Sequence, residues 1–251
     1  SYEYDGSGWA TSGNMNQGRA SVSGFGTQTA AVGSSGYNNA FSAGAAFLKN
    51  TEEYNGSSWT AGEDGGTQAH SRASLGILTA GIVTGGRLNG STASANSEEY
   101  DGTDWAEGSN LNTARWGVGG AGTQTAGVVF GGQPGHPYAD TNATEEYDGS
   151  SWTTVNSMNT ARAYLSGIGD SQTSVLGVGG MIPALSALCE SYDGTTWTET
   201  ADLAAATKSA QTHGAGANSN SGLFFGGESP SVTSVTQEFN NSFEVVTAGA
   251  W

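Results

Sequence analysis

Basic side chains are scarce: seven lysines and arginines stand against 23 aspartates and glutamates in 251 residues, a formal net charge of −16. A chain of that sign is repelled by nucleic acid and by anionic membrane surfaces, which excludes both as partners. No apolar run reaches the roughly 18 residues of a transmembrane helix, so no membrane insertion is expected. Ser1-Tyr2-Glu3-Tyr4 has neither the basic region nor the apolar core of a signal peptide. Cysteine is nearly absent. Cys189 alone makes no internal disulfide and no zinc site of usual spacing, and reads as a small buried residue. There are only four prolines.

What is present in excess is glycine, 41 residues, amid serine, threonine, asparagine and alanine, with 10% aromatics. Much glycine with little proline and a fair aromatic content fits tight turns between short strands, not disorder. The length suits one β domain with a substantial core.

Self-similarity organises the chain. Tyr4-Asp5-Gly6-Ser7-Gly8-Trp9 returns as Tyr54-Asn55-Gly56-Ser57-Ser58-Trp59, Tyr100-Asp101-Gly102-Thr103-Asp104-Trp105, Tyr147-Asp148-Gly149-Ser150-Ser151-Trp152 and Tyr192-Asp193-Gly194-Thr195-Thr196-Trp197. A worn copy follows at Phe239-Asn240-Asn241-Ser242-Phe243. Asp-Gly is a hairpin signal, because both residues tolerate positive φ. Between successive hairpins come a basic residue, a small-residue strand and an apolar strand. The last ends in two glycines, as in Ala126-Gly127-Val128-Val129-Phe130-Gly131-Gly132. In the first unit Gly33-Ser34-Ser35-Gly36 is a degenerate version.

The double glycine, the spaced Tyr and Trp and the preceding Arg resemble kelch repeats over nearly the whole chain. The resemblance implies an all-β propeller in one domain, 1–251. Its expected repeats are 13–59, 60–105, 106–152, 153–197 and 198–248, giving five four-stranded blades. Residues 1–12 close the ring by strand pairing with the C-terminal segment 233–248. Six blades are the alternative, since there are six Tyr–Trp halves but five basic-to-double-glycine halves.

Five of the seven basic residues recur at one repeat position: Arg19, Arg72, Arg115, Arg162 and Lys208. A propeller gathers them around its axis, where two readings stay open. Each pairs with a repeat carboxylate such as Glu52, Glu98, Glu145 or Glu190, or together they form an anion or sugar-acid site. Carboxylates copied into every unit are architectural, and the unrepeated ones (Asp64, Asp140, Asp170, Glu228) are not tied together in sequence. His70, His136 and His213 share no ligand spacing, so no metal or other cofactor is expected. Gly117-Val118-Gly119-Gly120-Ala121-Gly122 matches a dinucleotide fingerprint only formally, because no helix pattern follows it. The chain is therefore read as non-enzymatic.

The loops after the double glycines differ completely between units, and they lie on the face where the first strands begin. Tyr37, Arg87, His136, Tyr138 and Asp140 in these loops, with the five basic residues, are the candidate ligand contacts. Finally, Thr144-Glu145-Glu146-Tyr147-Asp148-Gly149-Ser150-Ser151-Trp152-Thr153, and Asn112-Thr113-Ala114-Arg115 followed by Gly122-Thr123-Gln124-Thr125-Ala126-Gly127, resemble repeats in tail-appendage proteins of marine tailed phages, cyanophages included. That implies an extracellular, virion-surface recognition module with a host-surface glycan or receptor as partner, beside other virion proteins. A purely structural virion component and a glycan-active enzyme are the alternatives.

Overall fold

A computed structural model of the protein describes residues 1–38, 46–135, 139–208, 215–228, 231, 233–239 and 245–250. The fold is all-β. Among the described residues the only helical element is a single 3-10 turn at Asn89–Ser91.

Five antiparallel sheets of four strands follow one another along the chain. The first comprises Ser23–Thr27, Ala30–Ser34, Thr51–Tyr54 and Trp59–Ala61. The second is Ala73–Ile77, Ala80–Thr84, Ser97–Tyr100 and Trp105–Glu107. The third is Gly119–Thr123, Ala126–Phe130, Thr144–Tyr147 and Trp152–Val155. The fourth is Ser166–Ile168, Val175–Val178, Cys189–Tyr192 and Trp197–Glu199. The fifth is Ala215–Asn218, Ser221–Phe225, Val235–Phe239 and Val245–Ala250. They are arranged as a β-propeller. The first strands pack against one another in series. Gly24, Ser74, Gly120, Gly167 and Gly216, one from each sheet, border an axial cavity of about 510 Å3.

Small residues on the first strands permit this approach at the axis. Gly26, Gly76, Gly122 and Gly169 have φ between 101° and 138° at the end of the first strand. A Cβ there would come within 2.5 Å of the carbonyl of Ala30, Ala80, Ala126 or Ser174, so only glycine makes this turn without strain. The apolar core lies between sheets. Phe25 and Val32 of the first meet Val83 and Tyr100 of the second, and Ala121 and Phe130 of the third meet Val175 and Trp197 of the fourth.

The outer hairpins turn as their Asp-Gly signal requires. Asp148 Oδ1 accepts the amides of Ser150 and Ser151, both at 2.8 Å, and Gly149 takes φ 90°. The Ser150 hydroxyl, which donates to the same oxygen at 2.8 Å, and then these amides favour the ionised carboxylate and hold its pKa at about 2.

The hairpins of the second, third and fourth sheets also grip the sheet before them through two side chains. The hydroxyls of Tyr100, Tyr147 and Tyr192 donate to Glu53, Glu99 and Glu146 of the preceding sheet. The indole N–H groups of Trp105, Trp152 and Trp197 donate to Thr51, Ser97 and Thr144 at 3.0–3.1 Å. At the other end of the blades the second residue of the turn that follows the second strand reaches forward in four of the sheets. The amides of Gly36, Gly86, Gly132 and Gly180 donate to the carbonyls of Ala69, Arg115, Arg162 and Thr207 at 2.8–3.1 Å.

Two expectations need correction. The N-terminal hairpin, Tyr2–Tyr4 with Trp9–Thr11, forms a two-stranded sheet of its own and, among the described residues, does not pair with the C-terminal strands. Val245–Ala250 already takes the fourth place in the fifth sheet, so that edge needs no N-terminal strand. The two ends meet through side chains: Tyr4 donates to Glu238, and Trp9 Nε1 to Thr236 Oγ1 at 2.9 Å. In the first unit Ser35-Gly36, with φ 63° and 96°, stands where other sheets have two glycines, so Gly33 is not part of that turn.

Candidate functional site

Four of the five recurring basic residues, Arg19, Arg72, Arg115 and Arg162, are buried in ion pairs. Arg115 is 0% exposed and its Nη2 lies 3.0 Å from Glu145 Oε1. Its Nη1 donates to the carbonyls of Gly131 and Ala143 at 2.9 and 2.6 Å. Arg162 pairs with Glu190 at 3.0 Å and Arg19 with Glu52 at 2.7 Å, both shut away from solvent. The carboxylate oxygens left over accept backbone amides, as Glu145 does from Asn112 at 2.6 Å. Each pair is thus a staple joining the strand entry, the double glycine and the third strand. The ion-pair reading of these arginines is the one the structure shows.

Two members of the presumed ring are not at its position. The residue with a left-handed backbone just before each first strand marks the register: Ser21, Ser71, Gly117 and Tyr164, with φ 56–64°. By that mark Arg19, Arg115 and Arg162 correspond to Ala69 in the second sheet, and Arg72 lies three residues further on. Its long side chain still reaches the equivalent carboxylate, Glu98, at 2.5 Å. In the fifth sheet Thr207 holds the arginine's place, because its carbonyl accepts the Gly180 amide. Lys208, the neighbour, pairs with Glu228 at 3.2 Å in a partly exposed contact.

On the face bearing the variable loops one backbone feature recurs in every sheet. The residue after the double glycine bridges to the residue entering the first strand: Tyr37 with Ala20, Arg87 with His70, Gln133 with Trp116, Met181 with Ala163, and Glu228 with Lys208. The backbone is repeated and the side chains are not. Tyr37 and Arg87, both expected on this face, are half-buried in this ring. Asp140 is half-buried and accepts from Gln133 Nε2 at 2.9 Å, and burial pushes its carboxyl pKa upward. His136 and Tyr138 lie outside the described residues.

Part of the ring is a continuous aromatic and cationic track. Tyr37 and Phe47 both meet the His70 ring edge-on, with centroids 5.0 and 4.8 Å away. Arg87 sits 5.6 Å above the Trp116 ring, and Trp116 Nε1 donates to the Tyr164 hydroxyl at 3.2 Å. His70 is held neutral: burial first, then the Arg87 charge, lower its pKa to about 4. Sequence reasoning missed His70, Trp116, Gln133 and Glu228. A usable signal for the last two was being the next residue after Gly-Gly.

No family model matches the chain, and no curated protein matches it. Among the described residues no group of three or more His, Cys, Asp or Glu could hold a metal ion, and no helix is long and apolar enough to cross a membrane. Cys189 is 0% exposed with its thiol pKa pushed up to about 12 by burial, which makes it a packing residue and not a nucleophile.

Proposed function

We propose that the protein is a non-enzymatic recognition module of kelch-like build, and that it reads its ligand with the ring of bridged residues on the variable-loop face. One observation carries this reading: five copies of the same backbone bridge display different side chains, from Tyr37 and Arg87 to Gln133, Met181 and Glu228. A rigid repeated frame with unrepeated side chains at one end suits individual recognition. The half-buried track of Tyr37, Phe47, His70 and Arg87 combines ring faces with a fixed cation and hydrogen-bonding atoms. That chemistry suits a sugar, whose C–H face stacks on aromatics while its hydroxyls take hydrogen bonds.

The resemblance to phage tail-appendage repeats supports a place on a virion surface, with a host-surface glycan or receptor as the ligand. A glycan array is the test. Tyr37→Ala or Arg87→Ala is expected to weaken any hit by about tenfold or more, at unchanged melting temperature. Loss of binding on altering Asp148-Gly149, at the opposite turns, with the ring untouched would place the site on the wrong face. An array without hits, together with incorporation into particles, would favour a purely structural role. Release of sugar product from a hit would favour a glycan-active enzyme.

A further inference from the structure

Three of the five sheets seat a guanidinium on the same pair of carbonyls, and a fourth reaches one of the pair. The first carbonyl belongs to the residue that opens the turn after the second strand. The second belongs to the residue that accepts its amide: Asn50 from Ser35, Asn96 from Gly85, Ala143 from Gly131, Leu188 from Gly179 and Val235 from Gly226. Arg19 Nη1 donates to Ser35 and Asn50 at 3.4 and 2.6 Å, and Arg162 Nη1 to Gly179 and Leu188 at 2.9 and 2.5 Å. Arg115 does the same with Gly131 and Ala143. Arg72, coming from its shifted place, reaches the Asn96 carbonyl at 3.4 Å.

The fifth sheet keeps the two carbonyls and has no arginine for them. Thr207 stands in the arginine's place and Gln237 in the glutamate's. Among the described residues no side chain donates to the carbonyl of Gly226 or of Val235. A cavity of about 140 Å3 lies there instead, lined by Gly226, Val235, Thr207, Gln237 and the Phe224 ring. A second observation points to an occupant. Gln237 is only 2% exposed, and its Oε1 accepts the Ala204 amide at 2.9 Å. The other end of the same carboxamide, Nε2, has no acceptor among the described residues. A buried donor left without an acceptor is costly, and such groups normally have a partner.

We infer that this cavity binds a small neutral molecule carrying a urea or primary carboxamide group. The match is one of hydrogen-bond polarity. The ligand's carbonyl accepts from Gln237 Nε2, and its N–H groups donate to the carbonyls of Gly226 and Val235. Thr207 Oγ1 is a further acceptor, since its own hydrogen already goes to the Ala205 carbonyl at 3.0 Å. The size also fits, because a protein cavity of about 150 Å3 holds a molecule as large as benzene. Charge decides against a guanidinium. Gln237 supplies no countercharge, and a buried cation without one is costly. Ala205, an exposed residue in the cavity wall, gives a way in from solvent. None of the five bridged pairs lines this cavity, so the inference does not rest on the glycan reading.

The test titrates the full chain with methylurea, acetamide and methylguanidinium. Binding is read from the side-chain amide resonance of Gln237 and from the melting temperature. Methylurea and acetamide should move that resonance with a millimolar Kd, as befits ligands of so few atoms. Methylguanidinium should bind the parent about tenfold more weakly or worse. Gln237→Glu places a carboxylate in the cavity, so the order should reverse, with methylguanidinium now raising the melting temperature most. Thr207→Arg combined with Gln237→Glu rebuilds the pair of the other sheets and fills the cavity. That variant should stay folded and respond to none of the three. A Gln237 resonance unmoved by every probe means that water alone fills the cavity, and overturns the inference. An undiminished response in the double variant overturns it as well, since binding then lies elsewhere, and so does a parent that prefers methylguanidinium. Binding of a glutamine-containing tripeptide distinguishes the sources of the group. Tighter binding than acetamide supports a carboxamide carried by a partner's side chain, and weaker binding supports a free solute.

Discussion

Thr207 and Gln237 stand in the fifth sheet where Arg162 and Glu190 stand in the fourth, and both line a cavity of about 140 Å3. Both charges of the buried pair are absent together, and Gln237 Oε1 accepts the Ala204 amide at 2.9 Å, the duty Glu190 performs for Asn159 at 2.7 Å. Removing one partner of a buried pair costs far more than removing both. Thr207→Arg alone and Gln237→Glu alone should each destabilise the fold by about 2–4 kcal/mol, with the double variant closer to the parent. Denaturant unfolding of the four proteins in a double-mutant cycle gives the coupling.

Arg115→Ala should cost about 3–5 kcal/mol, because Glu145 is left as a buried, unpaired carboxylate. Replacing both partners by apolar residues, Arg115→Met with Glu145→Leu, should recover most of that loss. A ligand-binding Arg115 would instead show unchanged stability in urea.

Gly122→Ala should destabilise by about 2 kcal/mol or more. At φ 102° the added Cβ meets the Ala126 carbonyl at 2.4 Å, and neither the backbone nor the strand can shift cheaply. Gly8→Ala is the matched control: nothing lies within 4 Å of its Cβ, so its melting temperature should stay with the parent's.

Neutral His70 makes stability fall on mild acidification. Its folded pKa of about 4 lies below the ordinary value of 6.5, so the unfolded chain binds the proton first. The contribution is fully present above about pH 6.5 and is lost progressively as pH falls towards 4. Discounted for partial exposure, the loss between pH 7 and pH 5 is about 1 kcal/mol. Melting curves of the parent should show a steeper decline over that interval than those of His70→Gln. Equal slopes would mean that the imidazole is free to charge in the folded state.

The propeller was legible because its periodic signals are backbone demands. The Asp-Gly turns and the double glycines need positive φ, and the Tyr–Trp pairs recur where neighbouring sheets grip one another. The partners of Arg19, Arg115 and Arg162 could also be read, since a buried arginine needs a carboxylate and only the repeated Glu offered one. Arg72 could not be placed, because a long side chain lets a residue three positions away serve the same carboxylate. The register mark is a left-handed Ser71, and serine carries no such label in sequence. Lys208 misled for a related reason: it lies beside the arginine position, and the true occupant, Thr207, has no charge to draw notice. His70 and Trp116 were passed over since their ring exists only through bridges between segments about 17 residues apart.

Locking Arg19, Arg72, Arg115 and Arg162 inside leaves Lys49, Arg87 and Lys208 as the only cationic side chains outside buried pairs. The solvent therefore meets an almost purely anionic particle, far more one-sided than the count of basic residues suggests. Copies approaching from any side repel at low ionic strength. That repulsion fades once salt shortens its range to about 8 Å. Crowded arrays of the protein would thus be spaced by electrostatic pressure, and divalent cations would be effective agents for drawing them together.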